Sequence, residues 1–340
     1  MRVLVIGGAG FIGANLANRF LKRGNDVFVF DNLSRRGTEW NLKWLKEYKN
    51  LKFIKGDIRN YDELKNLFLK EKFDVVFHMA AQVAVTTSVI NPREDFEINA
   101  LGTFNILEAI RETKQNPIIL FASTNKVYGG MTDIKIVEKN GRYAYKDIKG
   151  GIKEDRLLDF HSPYGCSKGC ADQYMIDYAR IYGLRTVVFR QSCIYGYRQF
   201  GIEDQGWVAW FTIAAALNKE ITIYGDGKQV RDVLFIDDLL DAYEAAIKNI
   251  DRVKGQAFNI GGGPKNTLSL LELISFLEEF FNKKISLKFS NWRPGDQPVF
   301  ICNISKAKKL LNWGPSVNPR QGVKLLYNWV KKNIDLFKDL

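Results

Sequence analysis

The stretch MRVLVIGGAGFIG, residues 1–13, decides how the rest of the chain is read. Its apolar run predicts a buried strand over Arg2–Ile6, which passes straight into Gly7, Gly10 and Gly13. A helix opening near Phe11 then places these glycines between strand and helix. Glycine suits such a turn on three counts: the tight reversal, the close approach of backbone to a pyrophosphate, and the packing of helix on strand. The helix N-terminus adds free N–H groups and the positive end of its dipole. A glycine-rich turn alone is a weak signal; its place between strand and helix strengthens it.

The same alternation continues outward. Val27–Phe30, Lys52–Ile54, Asp74–Phe77, Pro117–Ala122 and Thr186–Arg190 predict further buried strands. Phe11–Lys22, Thr38–Tyr48, Tyr61–Lys70, Pro92–Thr113 and Pro163–Tyr182 predict helices among them. Right-handed strand–helix–strand crossovers follow, and with them an α/β fold: a Rossmann-like doubly wound parallel sheet. The second half is less regular. It predicts helices at Trp207–Leu217, Asp237–Lys248, Leu268–Phe281, Ser305–Leu311 and Pro319–Lys332, and short strands near Ile221–Tyr224, Ala257–Ile260 and Ser286–Phe289. The expected division is a cofactor domain over 1–190 and a smaller α/β C-terminal substrate lobe over 191–340, with elements around 230–260 packing back on the first. The polar stretch from Gly129 to His161 is long for a connection and reads as a functional or mobile loop, a candidate lid.

Composition narrows the function. The 340 residues are 46% hydrophobic and 26% charged, as in ordinary globular proteins, and contain no apolar run of membrane-spanning length. The apolar run at the start is too short for a signal-peptide core. Cys166, Cys170, Cys193 and Cys302 show no CxxC spacing, and His78 and His161 are the two histidines, so no metal is expected. Reduced thiols point to the cytoplasm. The net charge of +12 comes from scattered lysines without a basic block, which reads as a solvated surface rather than a nucleic-acid site.

Asp31 ends the second predicted strand, 18 residues after Gly13. A carboxylate there accepts the ribose hydroxyls of an adenosine and repels a 2′-phosphate, which favours NAD over NADP. Arg35 and Arg36 argue mildly the other way and otherwise reach pyrophosphate or solvent. Asp57 faces the adenine edge or caps the helix at Tyr61. Tyr164 and Lys168 share a helix face, four residues apart. An ammonium beside the phenol is expected to lower its pKa, so that Tyr164 can remove a hydroxyl proton and return it. Ser123-Thr124 follows the fifth strand, at the sheet edge where α/β folds hold ligands. Y-x-x-x-K alone is common; the three motifs in this order reinforce one another.

These motifs resemble the extended short-chain dehydrogenases/reductases that act on nucleotide sugars. The matching residues are G-G-A-G-F-I-G at 7–13, D-N at 31–32, G-D-I-R at 56–59, H-M-A-A at 78–81 and N-A-L-G-T at 99–103. They continue with V-Y-G at 127–129, Y-G-C-S-K at 164–168, Y-G-D-G at 224–227, R-D at 231–232 and R-P-G-D at 293–296. The resemblance covers nearly the whole chain. It implies a tightly held NAD, reduced and reoxidised in each turnover, and a homo-oligomer up to a tetramer. The cofactor positions it implies are Gly7, Gly10, Phe11, Ile12, Gly13, Asp31, Asn32, Ser34, Arg35, Asp57, Ile58, Ala80, Ala81, Gln82, Asn99, Ser123, Tyr164, Lys168 and Gln191. It implies substrate contacts at Thr124, Asn125, Lys126, Ser192, Cys193, Gln205, Tyr224, Arg231 and Arg293, with the two arginines on a diphosphate.

The 4,6-dehydratases of this family carry Asp-Glu after the threonine, and elimination of water needs that acid and base. Here Asn125-Lys126 stands instead, which disfavours dehydration. The segments Ser123–Gly129 and His161–Lys168, with the insertion between them, resemble the C2-inverting epimerases of CDP-linked 3,6-dideoxyhexoses. The expected catalytic set is Thr124, Tyr164 and Lys168. A UDP-hexose 4-epimerase is the first alternative. A dinucleotide-binding sensor or scaffold is the second.

Overall fold

The computed structural model describes residues 1–293 and 296–338. Seven parallel strands form its central sheet in the order Gln256–Ile260, Arg185–Gln191, Ile118–Thr124, Val75–His78, Arg2–Ile6, Asp26–Asp31 and Leu51–Lys55. The chain runs from the middle to one edge and then restarts beside the first strand. That reversal puts a crevice at the carboxyl ends of Arg2–Ile6 and Val75–His78, where ligands settle in such folds. Two buried layers flank the sheet. One, around Phe28, Phe68, Phe121 and Met175, lies under the helices Tyr61–Lys70, Gly102–Glu112 and Ser162–Tyr182. The other, around Phe20, Phe77, Phe189 and Tyr243, continues into the C-terminal lobe.

The helix expected over Pro92–Thr113 is present, but its middle turn, Glu97–Leu101, is a π-helix between Pro92–Phe96 and Gly102–Glu112. One extra residue per turn re-aims Asn99 into the protein. There its amide donates to Gln82 O at 3.0 Å, and its Oδ1 accepts from Gln82 N at 3.0 Å.

The lobe contains strands that the sequence pattern does not reveal. Val230–Phe235 pairs with Cys193–Tyr195, Thr267–Ser269 and Val299–Phe300. The short strand expected near Ala257–Ile260 forms as Gln256–Ile260 and lies in the central sheet beside Arg185–Gln191.

The stretch from Gly129 to His161 is docked rather than a free lid. Ile136–Lys139 and Arg142–Tyr145 form a hairpin. Arg142 donates to Glu272 at 2.8 Å and to Thr267 at 2.7 Å, and Tyr143 donates to Asp226 at 2.6 Å. Ile152 is buried against the lobe, with Ile152 N donating to Ile301 O at 2.8 Å. Hydrogen bonds and burial fasten this segment along its length, which its polar composition conceals.

Candidate active site

A groove of about 1140 Å³ runs along the crevice. Gly7, Gly10, Phe11, Ile12 and Gly13 line its floor. Gly7 has φ +76°, and a Cβ there would come within 2.5 Å of Ala80 N. A Cβ on Gly13 would meet Gly7 O at 2.2 Å, whereas on Gly10 it would meet that oxygen at 3.3 Å. The backbone is therefore bare where a pyrophosphate needs to approach the helix start. Asp31, Asn32, Ser34, Arg35, Asp57, Ile58, Ala80 and Ala81 complete the expected lining. Asp31 accepts from Ala9 N at 2.9 Å and Leu33 N at 2.8 Å. Burial raises its pKa, against the pull of those N–H groups and of Arg35. Asp57 accepts from Asn32 at 2.9 Å and pairs with Arg59, which draws its pKa down to about 2. The helix at Tyr61 is capped by Asn60 instead. These groups fit an adenosine dinucleotide: bare glycines for phosphates and carboxylates for ribose.

The groove also contains residues the motifs do not announce. Met79, Val83, Ile98, Thr38 and Asn41 line it, as do Arg198–Gly201 from beyond the sixth strand. Gln205 lines it too and hydrogen-bonds Arg35 across it. That places Gln205 at the dinucleotide groove, and Arg35 against a side chain rather than in solvent.

Gln82, Asn99, Ser123, Tyr164, Lys168 and Gln191 are placed around one end of the crevice but outside the lining of this groove. Tyr164 and Lys168 lie on the helix Ser162–Tyr182, both buried. The Thr124 hydroxyl acts on the Tyr164 phenol, bringing the fifth strand to that helix, and donates to Asn125 Oδ1 at 3.3 Å. The phenol pKa nevertheless moves opposite to expectation. Burial pushes it up to about 12; Thr124 and Arg35 pull it down, and Asp95 pushes it up further. Burial likewise pushes Lys168 down to about 7, with Asp172 and Asp95 holding it up. The cost of burying each charge dominates, and neither Tyr164 nor Lys168 is among the groups acting on the other, contrary to what their i, i+4 spacing suggests.

Asp95 and Asp172 are the site residues that motif reading misses. Ser167 donates to Asp95 at 2.5 Å and Gln82 donates to it at 2.8 Å. Ser123 donates to Asp172 at 2.7 Å, and Arg190 clasps the same carboxylate at 2.9 and 3.0 Å. The i, i+4 spacing of Lys168 and Asp172 was the available signal. Gln191 donates to Tyr243 at 2.7 Å. His78 is wholly buried beside Thr103 at 2.8 Å, and burial holds its pKa well below the usual range.

The expected substrate residues fall into two groups. Thr124, Asn125 and Lys126 turn off the fifth strand, with Lys126 in the electrostatic reach of Cys193 and Arg231. Ser192 beside them donates to buried Asp232. In the second group Arg293 stacks on Tyr224, 3.6 Å from the ring centroid, and pairs with Asp204 at 3.2 Å. Pro294 and Gly295 of the R-P-G-D motif lie outside the described residues.

The family model described as GDP-mannose 4,6 dehydratase matches residues 4–326. The chain belongs to this family. It is thus an extended short-chain dehydrogenase/reductase of the nucleotide-sugar kind. Its similarity to the CDP-paratose 2-epimerase of Salmonella typhi is 50% identity over 336 residues, 97% of this chain and 99% of that one. The UDP-glucuronate 4-epimerase of Thermodesulfobacterium geofontis is 34% identical, across 99% of this chain and 98% of its own. Among solved structures, UDP-glucose 4-epimerase from Thermotoga maritima with UDP-glucose superposes with TM-score 0.84 at 30% identity, covering 98% of this chain and 100% of that one. UDP-glucuronic acid 4-epimerase from Bacillus cereus, in complex with UDP-glucuronic acid and NAD, gives 0.84 at 31% identity, with the same coverage.

Proposed function

We propose that this family member is an NAD-dependent nucleotide-sugar epimerase that inverts C2 of a CDP-linked 3,6-dideoxyhexose, interconverting CDP-paratose and CDP-tyvelose. The observation that carries it is the buried Thr124–Tyr164 contact with Asn125-Lys126 following at once. It supplies a proton relay without the carboxylate pair that elimination needs. The similarity to the Salmonella typhi enzyme supports the sugar. A ketone at C4 acidifies the hydrogens at C3 and C5, not C2, so inversion at C2 calls for oxidation at C2 itself. Bound NAD supplies a hydride acceptor that gives the hydride back. Tyr164 takes and returns the proton of the C2 hydroxyl, Thr124 orients that oxygen, and Lys168 holds positive charge beside them. Gly7, Gly10, Asp31 and Asp57 hold the dinucleotide; Arg231 and Arg293 hold the diphosphate. The functional division is a cofactor domain over 1–190, which elements around 230–260 pack back on, and a mainly substrate-binding lobe over 191–340.

Turnover in deuterium oxide tests this. The expected result is equilibration of the two CDP-sugars with no label at C2, since a returned hydride never meets solvent. Deuterium at C2 overturns it. The 4-epimerases among the relatives favour a second reading, inversion at C4 of a UDP-hexose. Equilibration of UDP-galactose but not CDP-paratose would select that one.

We assign the chain to the cytoplasm on its free cysteines, and no helix of the described residues is long and apolar enough to cross a membrane. Phe104 and Tyr174, ring to ring on neighbouring helices and both exposed, support association of copies.

A further inference from the structure

Lys126 occupies a position that the proton relay does not use. It lies two residues past Thr124, in the turn Asn125–Tyr128, where Thr124 Oγ1 accepts from Lys126 N at 3.2 Å. The sheet carries other groups toward it. Thr124 pairs with Gln191, and the chain continues from there to Cys193. Cys193 pairs in turn with Val233 on the strand that holds Arg231. Arg231 is two residues from Val233 and so points to the same face of that strand. The result is an ammonium and a guanidinium in mutual electrostatic range, with the Cys193 thiol within reach of both and Asp296 within reach of Lys126. Among the described residues the Arg231 guanidinium donates one hydrogen bond, to Val230 O at 2.9 Å, out of five N–H donors. Two half-buried cations, one with most of its donors unspent, make a seat for a compact anion.

We propose that Lys126 is a specificity-determining residue: with Arg231 it seats the phosphate esterified to the sugar, and by doing so selects which carbon faces Tyr164. The proposal rests on the nucleotide-sugar reading above. Its logic is distance along the ring. The phosphate is bonded through oxygen to C1, and C2 is the next carbon, whereas C4 lies across the ring. A cation two residues from Thr124 draws the phosphate toward the proton relay and brings the C1–C2 edge with it. A phosphate held further out leaves C4 nearest. Burial and the Arg231 charge push the Lys126 pKa down to about 8, while Asp296 and Cys193 hold it up. Trp207 and Asp232 are the other polar groups acting on the adjoining thiol.

The test is calorimetric titration of the full chain, loaded with NAD, using CMP and CDP. These probes differ by the one phosphate. Lys126→Met is expected to weaken CDP about tenfold or more and leave CMP unchanged, as loss of a charge-assisted contact requires. Lys126→Arg is expected to restore CDP binding and serves as the folding control. Wild-type affinity for CDP is expected to fall as pH rises through about 8, and Lys126→Arg to lose that fall. Equal weakening of CMP and CDP, or no change in either, overturns the proposal. So does unchanged CDP binding with turnover lost, which would put Lys126 on the sugar. A wild-type chain that turns over CDP-sugar while Lys126→Met binds CDP normally refutes this seat and leaves the epimerase reading standing. A wild-type chain that binds no nucleoside diphosphate overturns both.

Discussion

Tyr164 has the heaviest chemical task, and its surroundings oppose rather than assist its ionisation. The buried phenol has a pKa of about 12, with Thr124 pulling it down, so taking the C2 hydroxyl proton calls for the positive charge of bound oxidised NAD to favour the phenolate. Tyr164→Phe keeps the ring and removes the proton. It is expected to cut epimerisation about 10²–10⁴-fold while NAD still leaves the heat-denatured protein in stoichiometric amount. Unchanged turnover would take the proton relay away from Tyr164, and no turnover in the wild-type chain would favour a sensor. Lys168 lends itself to a stability measurement. Its folded pKa, about 7, lies below that of an unfolded lysine. Between those values the unfolded chain binds more protons, so stability at this site rises with pH across that window. Lys168→Met is expected to melt a few degrees higher than wild type at pH 7, with the gap closing toward pH 10, and to lose turnover. A lower melting temperature at pH 7 would show that Asp172 and Asp95 need the ammonium more than burial penalises it.

The strand–glycine–helix unit is where sequence and structure agree most closely, since Arg2–Ile6 and Phe11–Lys22 form as the pattern predicts. Its tightest point is Gly13, where a methyl group would sit 2.2 Å from Gly7 O. The conflict is with backbone, which has nowhere to go. Gly13→Ala is therefore expected to lose copurified NAD and to be destabilised by about 2 kcal/mol or more, read by thermal melting and by cofactor release. The helix bearing Tyr164 was equally legible, because Tyr-x-x-x-Lys and a following glycine mark its face and its end. The π-turn at Glu97–Leu101 was not, because its hydrophobic pattern reads as continuous helix. Nor were the short strands Cys193–Tyr195 and Val299–Phe300, which hold their shape through pairing partners far away in the chain.

Across the molecule, the first sheet is completed from the second half. Gln256–Ile260 pairs along Val187–Gln191, and Tyr243 stacks on Phe189 with ring centroids 4.7 Å apart. A fragment of residues 1–190 would expose that strand edge and that ring. It is expected to be aggregated or loosely packed, with little protection from hydrogen exchange; a cooperatively melting monomeric fragment would contradict this. By itself the sequence determined the alternation of elements, the dinucleotide turn and the spacing of the proton relay, because each rests on contacts within a few residues. Tertiary structure decided which distant groups meet: Gln205 with Arg35, Asp95 with Lys168, the hairpin 136–145 with Glu272, Lys126 with Arg231. Those meetings also set the charge states at the site, since burial arises only when the whole chain has packed.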